Sequence, residues 1–106
     1  MNDVVSIKLI ADELVKLVFD EEYSKARSIA FKVVMGYRVS KDEIEQAFNY
    51  LWQLKGRLTG YKLRLESMTY DKGLSKYVRR NAVRLKSDVE LEILDIDDYL
   101  EMLRNE

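Results

Sequence analysis

The chain has 106 residues with 18 basic and 19 acidic side chains, and 47% of its residues are hydrophobic. This size and balance fit one helix-rich globular domain spanning residues 1–106 and exclude a disordered chain. Cysteine and histidine are both absent, which excludes disulfide bonds, thiolate chemistry and any Ser-His or Cys-His catalytic arrangement. No glycine-rich phosphate-binding motif is present, so we expect neither an enzyme nor a bound cofactor.

The hydropathy pattern predicts a protein of the cytoplasm. No apolar run approaches the roughly 18 to 20 residues that a membrane span needs, and the amino terminus lacks the charged-then-apolar layout of a signal peptide. Two Gln and four Asn among many charged residues are also typical of thermophilic proteins.

The amino-terminal segment supports two interpretations. Apolar residues recur at helical spacing between Ile7 and Val18, which predicts a first helix within residues 4–23. The opening VVSIKL also alternates like a strand. A strand followed by two helices resembles the ribbon-helix-helix repressors, and this alternative implies a DNA-binding dimer in which Ser6 and Lys8 read bases.

Two further helix boundaries carry capping signals. Ser24 can cap a second helix over residues 25–35, and Gly36 is placed to end it. Ser40 followed three residues later by Glu43 has the spacing of a capping box, which predicts the start of a third helix.

Apolar residues recur at one helical spacing throughout the segment from Ser40 to Arg104. Its apolar residues step alternately by three and four, which is the a/d pattern of a helix with a continuous apolar seam. Asp71, Lys72 and Gly73 supply the only strong break. We therefore predict an all-α fold of four helices, dominated by a long antiparallel hairpin of the last two. The seam positions are Ile44, Ala47, Leu51, Leu54, Leu58, Tyr61, Leu65 and Met68, followed by Val78, Ala82, Leu85, Val89, Ile93, Ile96, Leu100 and Leu103.

Two stretches of this hairpin leave a β alternative open. Residues 61–65 and 89–94 also alternate with period two, so a helical core with a small β-hairpin, as in a winged helix, is a second interpretation. Helix is favoured because Glu, Leu, Lys and Arg dominate both stretches and the seven-residue spacing runs through them.

The third helix carries a second apolar face. Phe48, Trp52 and Leu63 lie well away from the seam around the helix, and we predict that the first two helices pack against them. Gly56 and Gly60 on the same helix are explained either by the close approach of another backbone or by a local kink.

The net charge of −1 conceals strong segregation along the chain. Residues 1–54 carry seven basic and nine acidic side chains, residues 55–86 carry ten and two, and residues 87–106 carry one and eight. The balances are therefore −2, +8 and −7. In the predicted hairpin the basic segment forms the closed end, where the two long helices meet.

We predict that this closed end binds the phosphates of a nucleic acid, because arginine forks donate paired hydrogen bonds to phosphate and several cations together displace counterions. Three tyrosines of the same region, Tyr61, Tyr70 and Tyr77, are candidates for stacking on unpaired bases. A solvated helix face and a surface for an acidic protein are the alternatives. The candidate residues are Arg57, Arg64, Lys76, Arg79, Arg80, Arg84 and Lys86.

The acidic end contains Asp95, Asp97 and Asp98, whose carboxylates are of the type that holds Mg²⁺. No second ligand cluster accompanies them, so a solvated helix face is favoured and we expect no metal site.

The order of segments is similar to that of the small all-helical subunit of type III CRISPR effector complexes. The segments that carry this resemblance are YSKARSIAFKVV at 23–34, LKGRLTGYKLR at 54–64 and GLSKYVRRNAV at 73–83, followed by an acidic, apolar end. The resemblance implies a noncatalytic subunit that stacks along a ribonucleoprotein filament and holds RNA through basic side chains. It therefore favours RNA over DNA, with other protein subunits or further copies of the chain as partners.

Overall fold

A computed structural model describes residues 3–104, with side chains from Val5 onward, and this range contains four helices and no strand. The predicted all-α fold with a long carboxy-terminal hairpin is confirmed. The helices are α1 (Asp3–Val18), α2 (Glu21–Val34), α3 (Lys41–Thr69) and α4 (Lys76–Arg104).

Both β alternatives are wrong. The segment that alternates like a strand at the amino terminus lies within α1, and residues 61–65 and 89–94 lie within α3 and α4. In each place the period-two pattern is short, whereas the helical spacing of apolar residues continues for several turns beyond it. The longer pattern decides the structure because it places a whole helix face in the core.

The a/d seam is the core of the hairpin, in which α3 and α4 make the most extensive contact of the molecule. Leu51, Leu65, Val89 and Ile96 are completely buried along it. None of the 16 predicted seam residues is exposed. The rhythm of apolar residues therefore identified the buried side of both long helices.

The two short helices lie end to end along the hairpin. α1 runs antiparallel to α3, because the Tyr50 hydroxyl donates to the Asp20 carboxylate at 2.9 Å, while Arg57 Nε lies 3.7 Å from Glu13 Oε2 farther along. The chain breaks only at Phe19 and Asp20 before helix resumes. The result is an elongated bundle of three rods, 53 × 21 × 17 Å, in which the first rod consists of α1 and α2.

α2 joins the hairpin through aromatic side chains and runs parallel to α4. The Tyr23 hydroxyl donates to the Glu92 carboxylate, and eight residues farther along α2 the Phe31 ring packs edge-on against Tyr99 with centroids 5.7 Å apart. Tyr23 is 3% exposed. Burial and the neighbouring Glu92 carboxylate raise the pKa of its hydroxyl well above the ordinary range.

The start of α2 was predicted wrongly. The helix begins at Glu21, four residues before the predicted start, and its N-cap is Asp20 instead of Ser24. The Asp20 carboxylate accepts hydrogen bonds from the Glu22 amide at 2.9 Å and the Tyr23 amide at 3.2 Å. Burial alone raises the pKa of Asp20, but the hydrogen bonds outweigh it and hold the pKa below its usual value.

The predicted end of α2 and the predicted start of α3 are confirmed, whereas α1 ends at Val18, before the predicted limit at residue 23. Gly36 follows α2 with φ of +83°, and its amide donates to the Val33 carbonyl while the Tyr37 amide donates to that of Lys32. These two bonds form a Schellman motif, which favours glycine at this position. Ser40 caps α3 by accepting a hydrogen bond from the Glu43 amide at 3.2 Å.

The prediction that α1 and α2 cover the second apolar face of α3 is wrong. Trp52 is 53% exposed and Leu63 is 60% exposed. The short helices instead occupy the groove between α3 and α4 on the side of the seam, so one apolar face of α3 serves both contacts. A Cβ at Gly56 or Gly60 would meet no atom of the described residues within 4 Å, which removes close approach by that part of the chain as the reason for these glycines.

Candidate nucleic-acid interface

The closed end of the hairpin is a short turn between two capped helix ends. The Asp71 carboxylate accepts from the Gly73 amide at 2.8 Å, and the Ser75 hydroxyl accepts from the Val78 amide at 3.1 Å. These contacts set where α4 begins. The first turns of α4 therefore project from a defined position.

Three of the predicted residues form one exposed line on α4. Lys76, Arg80 and Arg84 are spaced by four, so they follow one side of the helix over about 12 Å at 1.5 Å per residue. All three are exposed, and within residues 3–104 none takes part in a salt bridge. Their charges are therefore available to an anion from outside the chain.

The two predicted residues on α3 lie on a different flank. Arg57 is exposed, but its guanidinium faces α1 and lies 3.7 Å from the Glu13 carboxylate. An exposed pair of this kind contributes little to stability, about 0 to 1 kcal/mol. Arg64 is exposed and, in the described part of the chain, makes no ion pair.

The remaining two candidates are half-buried. Lys86 faces α3 and lies 3.6 Å from Glu66 and 3.7 Å from Glu90, so its charge is already compensated. Arg79 is also half-buried, and its Nε has no hydrogen-bond partner in the structure. The structure thus leaves five of the seven predicted cations exposed, on two flanks of the closed end.

The tyrosines of this region differ in their exposure. Tyr70 ends α3 and Tyr77 opens α4, and each is 75% exposed. Tyr61 is half-buried against α1, and burial together with the Glu13 carboxylate raises the pKa of its hydroxyl. Only Tyr70 and Tyr77 therefore offer open ring faces.

Sequence reasoning missed one residue of this surface. Lys72 lies in the turn between Tyr70 and Tyr77 and is exposed. The sequence pattern identifies it only as part of the chain break, although its position inside the basic segment was a sufficient signal. Including Lys72, the turn and the start of α4 present a row of cations with a tyrosine on each side of the turn.

The charges at the start of α4 interact unfavourably with the helix dipole. Its first turn has no acidic residue, while Lys76, Arg79 and Arg80 lie close to the positive end of the helix dipole. Cations there destabilise a helix by roughly 0.3 to 1 kcal/mol each, and an anion is stabilised at the same place. A bound phosphate would relieve this conflict.

The opposite end of α4 is acidic. Asp97 lies 2.6 Å from Lys55 Nζ, whereas Asp95 and Asp98 are exposed. Among the residues that the structure describes, no three acidic side chains converge as a metal site would require. In the same range, no helix is both long and apolar enough to cross a bilayer.

Comparison with known proteins adds no assignment. No protein-family model matches the chain, and no curated protein or solved structure is significantly similar to it. The resemblance to the CRISPR effector subunit therefore stays a prediction.

Proposed function

We propose that the protein binds nucleic acid in the cytoplasm through the closed end of its hairpin, as a noncatalytic subunit of a larger assembly. The observation that carries this proposal is the placing of two tyrosines, each 75% exposed, beside exposed cations that lack partners in the described chain. Side chains of both kinds contact water in the free protein, and both are typical of surfaces that bind single strands.

Each part of this surface suits a different part of the ligand. Lys76, Arg80 and Arg84 suit successive phosphates because they follow one line on a rigid helix. Tyr70 and Tyr77 suit bases, but only bases that are not stacked in a duplex. We therefore expect single strands to bind more tightly than duplexes, with RNA favoured over DNA through the resemblance to the CRISPR effector subunit.

A salt series with labelled single-stranded RNA tests the proposal by fluorescence anisotropy. The Arg80→Glu, Arg84→Glu double variant should weaken binding at least about 100-fold, since each of the two lost hydrogen bonds to a charged group contributes about 1.5 to 3 kcal/mol. The slope of log Kd against log salt should fall by about 1.4, because each phosphate contact on a single strand contributes about 0.7.

A variant with the same change in net charge is the control. Lys25 and Lys41 are exposed and lie outside the closed end, so Lys25→Glu, Lys41→Glu should bind like the unchanged protein. Equal loss in both double variants would mean that only net charge matters. Salt-independent binding, or no binding to any RNA or DNA, would refute the proposal.

A further inference from the structure

The outer side of α4 carries apolar residues that nothing in the described chain covers. Leu91 and Leu94 are each 59% exposed, and Val83 is 49% exposed. The buried side of the same helix faces α3 and the short helices through residues such as Val89 and Ile96. At about 100° per residue, Leu91 and Leu94 lie about 140° to 160° around the helix from Val89, so the bundle cannot cover them.

Leu91 and Leu94 belong to a second seam with a/d spacing. Steps of four and three separate its positions without interruption, as in a helix that pairs with another helix along its length. Every position in it is exposed. The seam consists of Arg80, Arg84, Ser87, Leu91, Leu94, Asp98 and Glu101.

The charges of this outer seam are ordered. Its amino-terminal positions, Arg80 and Arg84, are basic, its middle is small or apolar, and its last positions, Asp98 and Glu101, are acidic. Within residues 3–104 none of these four charged side chains forms a salt bridge. A partner that matches the seam must be acidic at one end, apolar in the middle and basic at the other.

We infer that the partner is a second copy of this chain, packed antiparallel through the outer seam of α4. A two-fold axis between Glu92 and Ile93 places Leu91 opposite Leu94 of the second copy, Ser87 opposite Asp98 and Arg84 opposite Glu101. Each pairing occurs twice because the interface is isologous. A parallel copy would instead place Arg80 against Arg80 and Asp98 against Asp98, which like-charge repulsion disfavours.

The neighbouring face of α3 extends the surface available to the second copy. Trp52 lines an open groove with Asp97 and Glu101, between α3 and the acidic end of α4. In the antiparallel dimer the basic end of the partner lies beside this groove. The exposed indole, which already has Lys55 Nζ 5.6 Å from its ring centroid, would then contact a second cation, an interaction worth about 0.5 to 1 kcal/mol at an open site.

Sedimentation velocity over a concentration series, without nucleic acid, tests the dimer. The 12.5 kDa chain should sediment as a dimer, and Leu91→Asp, Leu94→Asp should raise its dissociation constant at least about 100-fold, because burying an unpaired carboxylate is costly. The control is Val15→Asp, Leu63→Asp, since Val15 and Leu63 are 61% and 60% exposed and lie on other helices. This control should remain dimeric.

Cysteine cross-linking tests the orientation, because the unchanged chain contains no cysteine. An equimolar mixture of Arg84→Cys and Glu101→Cys chains should form a mixed disulfide on oxidation, and neither variant alone should. In this antiparallel register, each of these two positions lies about 25 Å along the axis from the same position of the second copy, beyond the roughly 7 Å between Cα atoms that a disulfide spans.

Three results would overturn this inference. The first is a monomer at about 100 µM, a concentration at which micromolar affinity would give dimers. The others are a control variant that dissociates as readily as the seam variant, and disulfide formation by each cysteine variant alone. The second copy and a phosphate cannot both bind Arg84, and the seam variant releases Arg84 while leaving Tyr70, Lys72 and Tyr77 intact. Its RNA binding therefore distinguishes failure of the dimer from failure of the proposed function.

Discussion

The two ends of the hairpin use their polar side chains in opposite ways. Near α2, hydroxyl and carboxylate groups bind each other: Tyr50 donates to Asp20, and Tyr23 donates to Glu92. At the closed end, Tyr70, Lys72 and the exposed cations of α4 face water. The first arrangement holds helices together, whereas the second leaves groups free for a ligand.

This difference predicts that substitutions at the two ends have separable effects. Changes near α2 should alter the free energy of unfolding and leave RNA binding intact. Changes at the closed end should alter RNA binding and leave unfolding nearly unchanged.

The largest effect is expected from removing the exposed rings. Tyr70→Ala, Tyr77→Ala should weaken binding to single-stranded RNA by about 2 to 6 kcal/mol, since stacking contributes about 1 to 3 kcal/mol per base. Its free energy of unfolding in urea should change by less than about 0.5 kcal/mol, because exposed side chains contribute little. The matched control is Tyr23→Phe, which should reverse the pattern by lowering stability and keeping RNA affinity. An unstable double variant would contradict the assignment of these rings to ligand binding.

A smaller effect is expected at alkaline pH from the buried tyrosine near α2. The pKa of Tyr23 in the folded protein is raised above its ordinary value of 10.0, so the unfolded chain loses this proton at a lower pH than the folded protein does. The contribution of Tyr23 to stability is therefore present below pH 10 and is lost as the pH rises above 10. Each such group lowers the free energy of unfolding by about 1.4 kcal/mol per pH unit above pH 10.

Urea unfolding between about pH 8 and pH 11 measures this loss. In the alkaline range, Tyr23→Phe should reduce the slope of the free energy of unfolding against pH by the amount that corresponds to about one proton. Tyr37→Phe is the control, because Tyr37 is 63% exposed and meets water in both states. An identical slope in Tyr23→Phe and the unchanged protein would show that Tyr23 ionises alike when folded and unfolded.

Most of the fold could be predicted because it depends on local patterns. The a/d spacing identified the buried faces of both long helices, and the special backbone conformation at Gly36 followed from its place after an apolar helix. The covering of Trp52 could not be predicted, since the spacing shows that a face is apolar but not which element lies on it. Trp52 remains 53% exposed on that face.

The site could be predicted as a region but not residue by residue. The charge balance located the basic closed end, and helical spacing put Arg80 and Arg84 on one line. It could not show that Lys86 would turn toward Glu66, 20 residues earlier in sequence and on the facing helix. Whether a cation is free depends on which carboxylate the packing brings near it.

The smallest predicted effect tests the misplaced start of α2. Asp20 and Ser24 are both suitable N-caps, and the structure selects Asp20, whose carboxylate accepts from two amides and from Tyr50. Ser24 lies inside the helix and is exposed. Ser24→Ala should therefore be neutral or stabilising by a few tenths of a kcal/mol, because Ala has the higher helix propensity.

Ser40→Ala is the matched comparison, since it removes the cap of α3 and should cost about 1 kcal/mol. Urea unfolding of the two variants measures the difference directly. If Ser24→Ala cost as much as Ser40→Ala, α2 would begin at the later position in solution. The hydrogen bond from Tyr50 to Asp20 would then not stabilise the start of α2. The polar groups near α2 would contribute as little to the stability of the fold as the exposed groups of the closed end.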